Sequence, residues 1–126
     1  MKIDPSVKLK DIQAAFSQAF PFLRIEFYEE SHVAGQGSPS GKQIDPEQTV
    51  GQVRASGKDG ILIFDAGTQI NAFEDTMRQH FGLNVQVFRK SGNLWLQTIT
   101  TDNWTLEQAD RKGDHSSELY REKYGD

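Results

Sequence analysis

Two stretches of this chain carry the same apolar rhythm, and that recurrence limits the architecture more than any other feature of the sequence. KLKDIQAAFSQAFPFLRIEF begins at Lys8 and QINAFEDTMRQHFGLNVQVF at Gln69. A shift of 61 positions pairs Leu9 with Ile70, Ile12 with Phe73, Phe16 with Met77 and Phe20 with Phe81. In each copy the apolar residues follow the i, i+3, i+7, i+11 spacing that puts them on one face of a helix. The same shift sets Ile3-Asp4 against Phe64-Asp65 just before each helix. Ser6 and Thr68 stand where N-caps are expected, with side-chain oxygens to take up unpaired first-turn amides. Pro21 and Gly82 stop the helices at matching places.

After each stop the period changes to two. Leu23, Ile25 and Phe27 alternate in the first copy and Leu83, Val85 and Val87 in the second, which predicts strands with one buried face. The second strand turns within Lys90-Ser91-Gly92-Asn93 and returns as Leu94 to Ile99. A turn at Ser91-Gly92 sets Phe88 opposite Trp95, and one at Gly92-Asn93 makes them diagonal neighbours. Leu94, Leu96 and Thr98 join the buried set, leaving Trp95, Gln97 and Ile99 on the far face. Each copy then reaches a Thr-x-x-Gln, at Thr49 to Gln52 and Thr105 to Gln108, which fits a capping box opening a short helix. The Gly-, Ser- and Pro-rich run from Glu30 to Lys42 reads as a loop in the first hairpin.

The predicted fold is α+β: tandem pseudo-symmetric βαββ repeats in residues 1–112 (about 1–56 and 60–112), with a mostly antiparallel sheet. The two long helices lie on one face, and residues 113–126 form a charged tail. Phe81-Gly82-Leu83 and Thr105-Leu106 carry a resemblance. The chain resembles a family of small bacterial proteins whose repeat runs from an apolar helix through Phe-Gly-Leu into a strand, then to Thr-Leu before a short helix. The first copy departs from that pattern at Phe20-Pro21-Phe22 and Thr49-Val50. The resemblance covers roughly residues 2 to 112, implies two helix–strand–hairpin repeats and brings no activity with it.

Composition narrows the chemistry. Cysteine is absent, which removes disulfides, zinc thiolates and thiol nucleophiles. The formal charge of −4 gives the whole molecule no attraction for phosphate backbones or anionic lipid. No stretch has the apolar length of a membrane span, and the start at Met1-Lys2-Ile3-Asp4-Pro5 lacks a signal-peptide run, so the cytoplasm is the expected setting, a bacterial one as the resemblance implies. His32, His80 and His115 have no second ligand at metal spacing, and no metal or cofactor is expected. Glu29-Glu30, Glu74-Asp75 and Glu107/Asp110 read as solvated pairs. Asp4 and Asp65 read first as turn caps and second as a catalytic couple at the repeat junction.

The strongest functional lead is the sheet face turned away from the helices. Arg24 and Tyr28 in the first copy and Phe88 and Trp95 in the second are its candidate binding residues, with Arg89 or Lys90 within reach. Exposed aromatics beside cations suit a protein hot spot or a platform for unpaired bases. The expectation is a non-enzymatic interaction or regulatory module that binds another protein or itself through this face or the 30–42 loop. Single-stranded nucleic-acid binding on the same face is the alternative, and an enzyme at the repeat junction the second alternative.

Overall fold

A computed structural model describes residues 1–29, 42–99 and 101–125, so the loop read at 30–42 lies, apart from Lys42, outside the described residues. The elements are β1 (Lys2–Ile3), α1 (Leu9–Ala19), β2 (Leu23–Tyr28), α2 (Val50–Val53), β3 (Gly60–Ile61), α3 (Ile70–Gln79), β4 (Asn84–Ser91), β5 (Leu94–Gln97) and α4 (Leu106–Tyr124). The chain is therefore α+β, and all the sheet pairing among the described residues is antiparallel. β1 pairs with β3, and a three-stranded sheet runs in the order β2-β4-β5. No helix among the described residues is long and apolar enough to cross a membrane.

Both helical stripes go where their spacing sends them. Leu9, Ile12, Phe16 and Phe20 of α1 and its C-cap are buried, as are Ile70, Phe73, Met77 and Phe81 of α3 and its end. They meet Leu23, Ile25, Phe27, Leu83, Val85 and Val87 from the inward side of β2 and β4 in one core cluster. Phe16 bridges the two helices, with its ring centroid 5.0 Å from that of Phe73. Each such side chain contributes about 1.5–3 kcal/mol by leaving water, so this cluster dominates the stability.

The helix starts are satisfied differently from the sequence expectation. The N-caps of α1 and α3 are Lys8 and Gln69, and neither makes a side-chain cap. Ser6 instead donates to Asp4, and the Thr68 hydroxyl accepts the Asp65 amide. An aspartate two or three residues upstream competes for these hydroxyls, and backbone carbonyls take over the capping. Leu9 N–H donates to Gln48 O at 2.9 Å and Lys10 N–H to Pro46 O at 2.9 Å, while Val50 N–H reaches Val7 O at 2.8 Å and Gly51 N–H reaches Pro5 O at 3.0 Å. The starts of α3 and α4 exchange bonds in the same way. Ile70 N–H donates to Trp104 O at 2.9 Å and Asn71 N–H to Asp102 O at 2.7 Å, while Leu106 N–H reaches Thr68 O at 2.8 Å and Glu107 N–H reaches Ala66 O at 3.1 Å. Orphan donors of one helix are thus met by the chain leading into the other. The capping boxes at Thr49/Gln52 and Thr105/Gln108 form as expected.

Two parts of the outline change. The segment read as a short helix and charged tail is one helix of 19 residues, the longest among the described residues. Its buried face is Leu106, Ala109, Gly113 and Ser117, and it packs on β4 and the start of β2. Small residues let the helix sit so close that a Cβ on Gly113 would lie 2.8 Å from Phe22 Cβ and 3.0 Å from Phe22 O. Leu94 and Leu96, expected inside, are exposed. They share the helix side of the sheet with Arg89, but α1 packs on β2 and α3 on β4, and β5 lies beyond them at one edge of the sheet.

Candidate functional site

The β4–β5 turn fixes the geometry of the far face. Its two central residues are Gly92 and Asn93, because Ser91 pairs with Leu94. Gly92 takes φ 63° and Asn93 no positive φ, a pattern suited to the right-handed twist of the strands. This register sets Lys90 directly across from Trp95 and Phe88 across from Gln97. On the other side of β4, Arg24 of β2 lies across from Phe88. Phe88 and Trp95 are diagonal neighbours, the second of the two arrangements the sequence allows.

Arg24, Phe88 and Trp95 come together. The Arg24 guanidinium carbon stands 5.6 Å from the Phe88 ring centroid and 4.9 Å from that of Trp95. Lys90 Nζ adds a second cation 5.3 Å from the Trp95 centroid. Contacts of this kind are worth about 0.5–1 kcal/mol each when exposed and about 2 when desolvated. Arg24 Nε is buried, has no hydrogen-bond acceptor among the described residues and stands 3.7 Å from Glu26 Oε1. Glu26 in turn accepts from Gln13 Nε2 at 3.1 Å. Phe88, Trp95 and Lys90 are all half-buried, so the patch still meets solvent.

Tyr28 does not join them. It is buried, and stands four residues along β2 from Arg24, roughly 13 Å at strand rise. There the strand is flanked on both sides, by Asn84 of β4 and by a bridge to Gln43. Burial pushes the Tyr28 hydroxyl pKa up, the Glu26 charge adds to that, and Arg24 opposes it. Arg89 faces the helix side opposite Leu96, so Lys90 is the strand cation that serves the patch.

Beside the patch lies a feature sequence reasoning missed. A cleft of about 320 Å³ opens between α4 and the β4–β5 turn, lined by Phe22, Lys90, Trp95, Ser117, Tyr120 and Arg121 among others. Its helical wall is pinned by the Phe22 amide, which donates to Asp110 Oδ1 at 2.8 Å. Burial raises the Asp110 pKa, the Phe22 amide opposes that, and the nearby Asp114 charge raises it further. The signal was present in the Leu106, Ala109, Gly113, Ser117 spacing, but its small residues and the surrounding charges hid a packed helix.

The remaining candidates resolve into structural roles. Asp4 Oδ1 accepts the Ser6 amide at 2.9 Å and Asp65 Oδ1 accepts the Gly67 amide at 2.9 Å. Both are turn caps, and hydrogen bonds from Ser6 hold the Asp4 carboxyl below its usual pKa. Glu74, read as solvated, is buried, and its Oε2 accepts the Val87 amide at 3.0 Å. It does so where the register of β5 along β4 has ended. His80 forms the C-cap of α3 with its ring edge-on to Phe81 at 4.5 Å. No group of acidic and histidine side chains able to hold a metal occurs among the described residues. No family model matches the chain, and neither a curated protein nor a solved structure matches it.

Proposed function

We propose that the chain is a non-enzymatic interaction module that binds an acidic stretch of a partner protein through Arg24, Phe88, Lys90 and Trp95. The observation that carries this reading is a half-buried Trp95 ring packed by two cations, one of them held between two aromatics. Rigid aromatic anchors flanked by cations are the usual composition of binding hot spots. The formal charge of −4 belongs to the whole molecule and leaves room for a local basic patch.

The module would be a tandem pair of βαββ repeats of the kind the resemblance implies. Support comes from the two matching sets of backbone bonds at the helix starts. The antiparallel β2–β4 pairing adds to it, because a twofold axis requires equivalent strands that pair to run antiparallel.

Trp95→Ala should leave the far-UV spectrum and urea midpoint nearly unchanged. It should also remove a partner recovered by the wild-type protein from native-host extract, with the loss reproduced by calorimetry on the purified pair. Equal recovery by the variant would remove the reading. Single-stranded nucleic acid is the second reading, favoured by the mixed cation and aromatic lining. Guanidinium and ammonium groups already cover Trp95, which leaves less ring for a base to stack on. Oligonucleotide titration at low salt, followed by Trp fluorescence, separates the two.

A further inference from the structure

The cleft behind the β4–β5 turn shares Lys90 and Trp95 with the interaction surface and adds Phe22, Tyr120 and Arg121. Its volume of about 320 Å³ falls at the small end of the range for small-molecule sites, roughly 300–1,000 Å³. Its walls are unlike in kind. Phe22 and Tyr120 offer apolar ring surface from two segments of the chain, and Trp95, partly covered by Arg24 and Lys90, closes the strand side. Lys90 enters from the strand and Arg121 from α4. Among the described residues neither cation has a carboxylate within ion-pair distance, in contrast to Arg54, Arg78 and Arg111. The Ser117 hydroxyl donates to Gly113 O at 2.9 Å, which leaves its oxygen free to accept.

The walls are also held in place before anything binds. α4 is fixed to the sheet by the Asp110–Phe22 bond and by the close approach at Gly113. Gly92 lets Tyr120 lie against the turn, since a Cβ there would stand 3.2 Å from Tyr120 Cδ2. A preorganised site loses less entropy on binding. Two unpaired cations beside an aromatic slot match one chemical class.

We infer that the cleft binds a small organic anion with a flat apolar body, the rings taking the body and Lys90 with Arg121 taking the acidic group. Calorimetric titration of the full chain with naphthalene-1-sulfonate tests this. Naphthylmethylammonium serves as the same body with opposite charge, and methanesulfonate as the charge alone. The expected result is saturable one-to-one binding of the naphthalene sulfonate, with neither control binding at the same concentrations. Lys90→Gln and Arg121→Glu should each weaken it by about five- to tenfold. Arg121 is exposed at the end of α4, so its variant should keep the wild-type urea midpoint. No binding at millimolar ligand, equal binding of the ammonium, or unchanged affinity in Arg121→Glu would each overturn the inference. Arg121 lies outside the sheet patch, so loss of the anion in Arg121→Glu with an intact protein partner would separate this site from the interaction surface.

Discussion

Gly113→Ala sets two effects of opposite sign against each other, and the structure says which wins. On helix propensity alone, alanine in the middle of α4 should stabilise the protein by about 1 kcal/mol. At this position the new methyl carbon would lie 2.8 Å from Phe22 Cβ, 3.0 Å from Phe22 O and 3.3 Å from Lys90 O. Ordinary carbon contacts need about 3.5–4.0 Å, so helix and sheet must part by close to an ångström. The Asp110–Phe22 bond starts at 2.8 Å, and that movement carries it beyond useful hydrogen-bond length. Losing a bond to a charged acceptor costs about 1.5–3 kcal/mol, and overpacking adds about 1–3. The net expectation is destabilisation by about 2 kcal/mol or more, read from urea unfolding at neutral pH. Exposed Lys112→Ala serves as the control and should stay within about 0.5 kcal/mol of wild type. A Gly113→Ala protein more stable than wild type would show that α4 does not rest on Phe22 and Lys90, and the cleft would lose its helical wall.

Two further outcomes follow from named contacts. Asp110→Asn keeps an oxygen for the Phe22 amide and removes a charge whose burial raises the native pKa. A carboxyl with a raised native pKa lends most stability below its unfolded value and loses it as pH rises through the native one. The variant should therefore be at least as stable as wild type at pH 7, with the gap narrowing as pH falls toward the ordinary aspartate range; a gap independent of pH would contradict this. Gly82→Ala should cost about 3 kcal/mol or more, because φ is 71° and a Cβ would stand 1.8 Å from Ser56 O. Thermal unfolding followed by circular dichroism measures it, and a shift of only a degree or two would refute the clash.

The parts legible in the sequence were those governed by large apolar residues at a fixed period. Phe16, Phe73 and Met77 announced their helices, and Ile25 and Val87 their strands, because one buried face leaves one spacing. Both capping boxes were readable because each is a purely local exchange between a hydroxyl and an amide. What stayed hidden depends on neighbours. The position of α4 follows from the small size of Gly113 and Ser117, which bring a helix close without any apolar bulk to betray it. Leu94 and Leu96 alternate as a buried strand should, yet their side of β5 is open. Three of the four proposed binding residues share one patch, and Tyr28 falls away because it stands roughly 13 Å along β2 from Arg24 and is buried.

The reciprocal bonds at the helix starts also bear on how the molecule comes apart. Leu9 and Lys10 lean on carbonyls at Gln48 and Pro46, while Val50 and Gly51 lean on Val7 and Pro5. A fluctuation that opens α2 therefore bares the first amides of α1 at the same moment, and the reverse holds as well. Deuterium should enter those four amides at one shared rate, although some forty residues of chain lie between them.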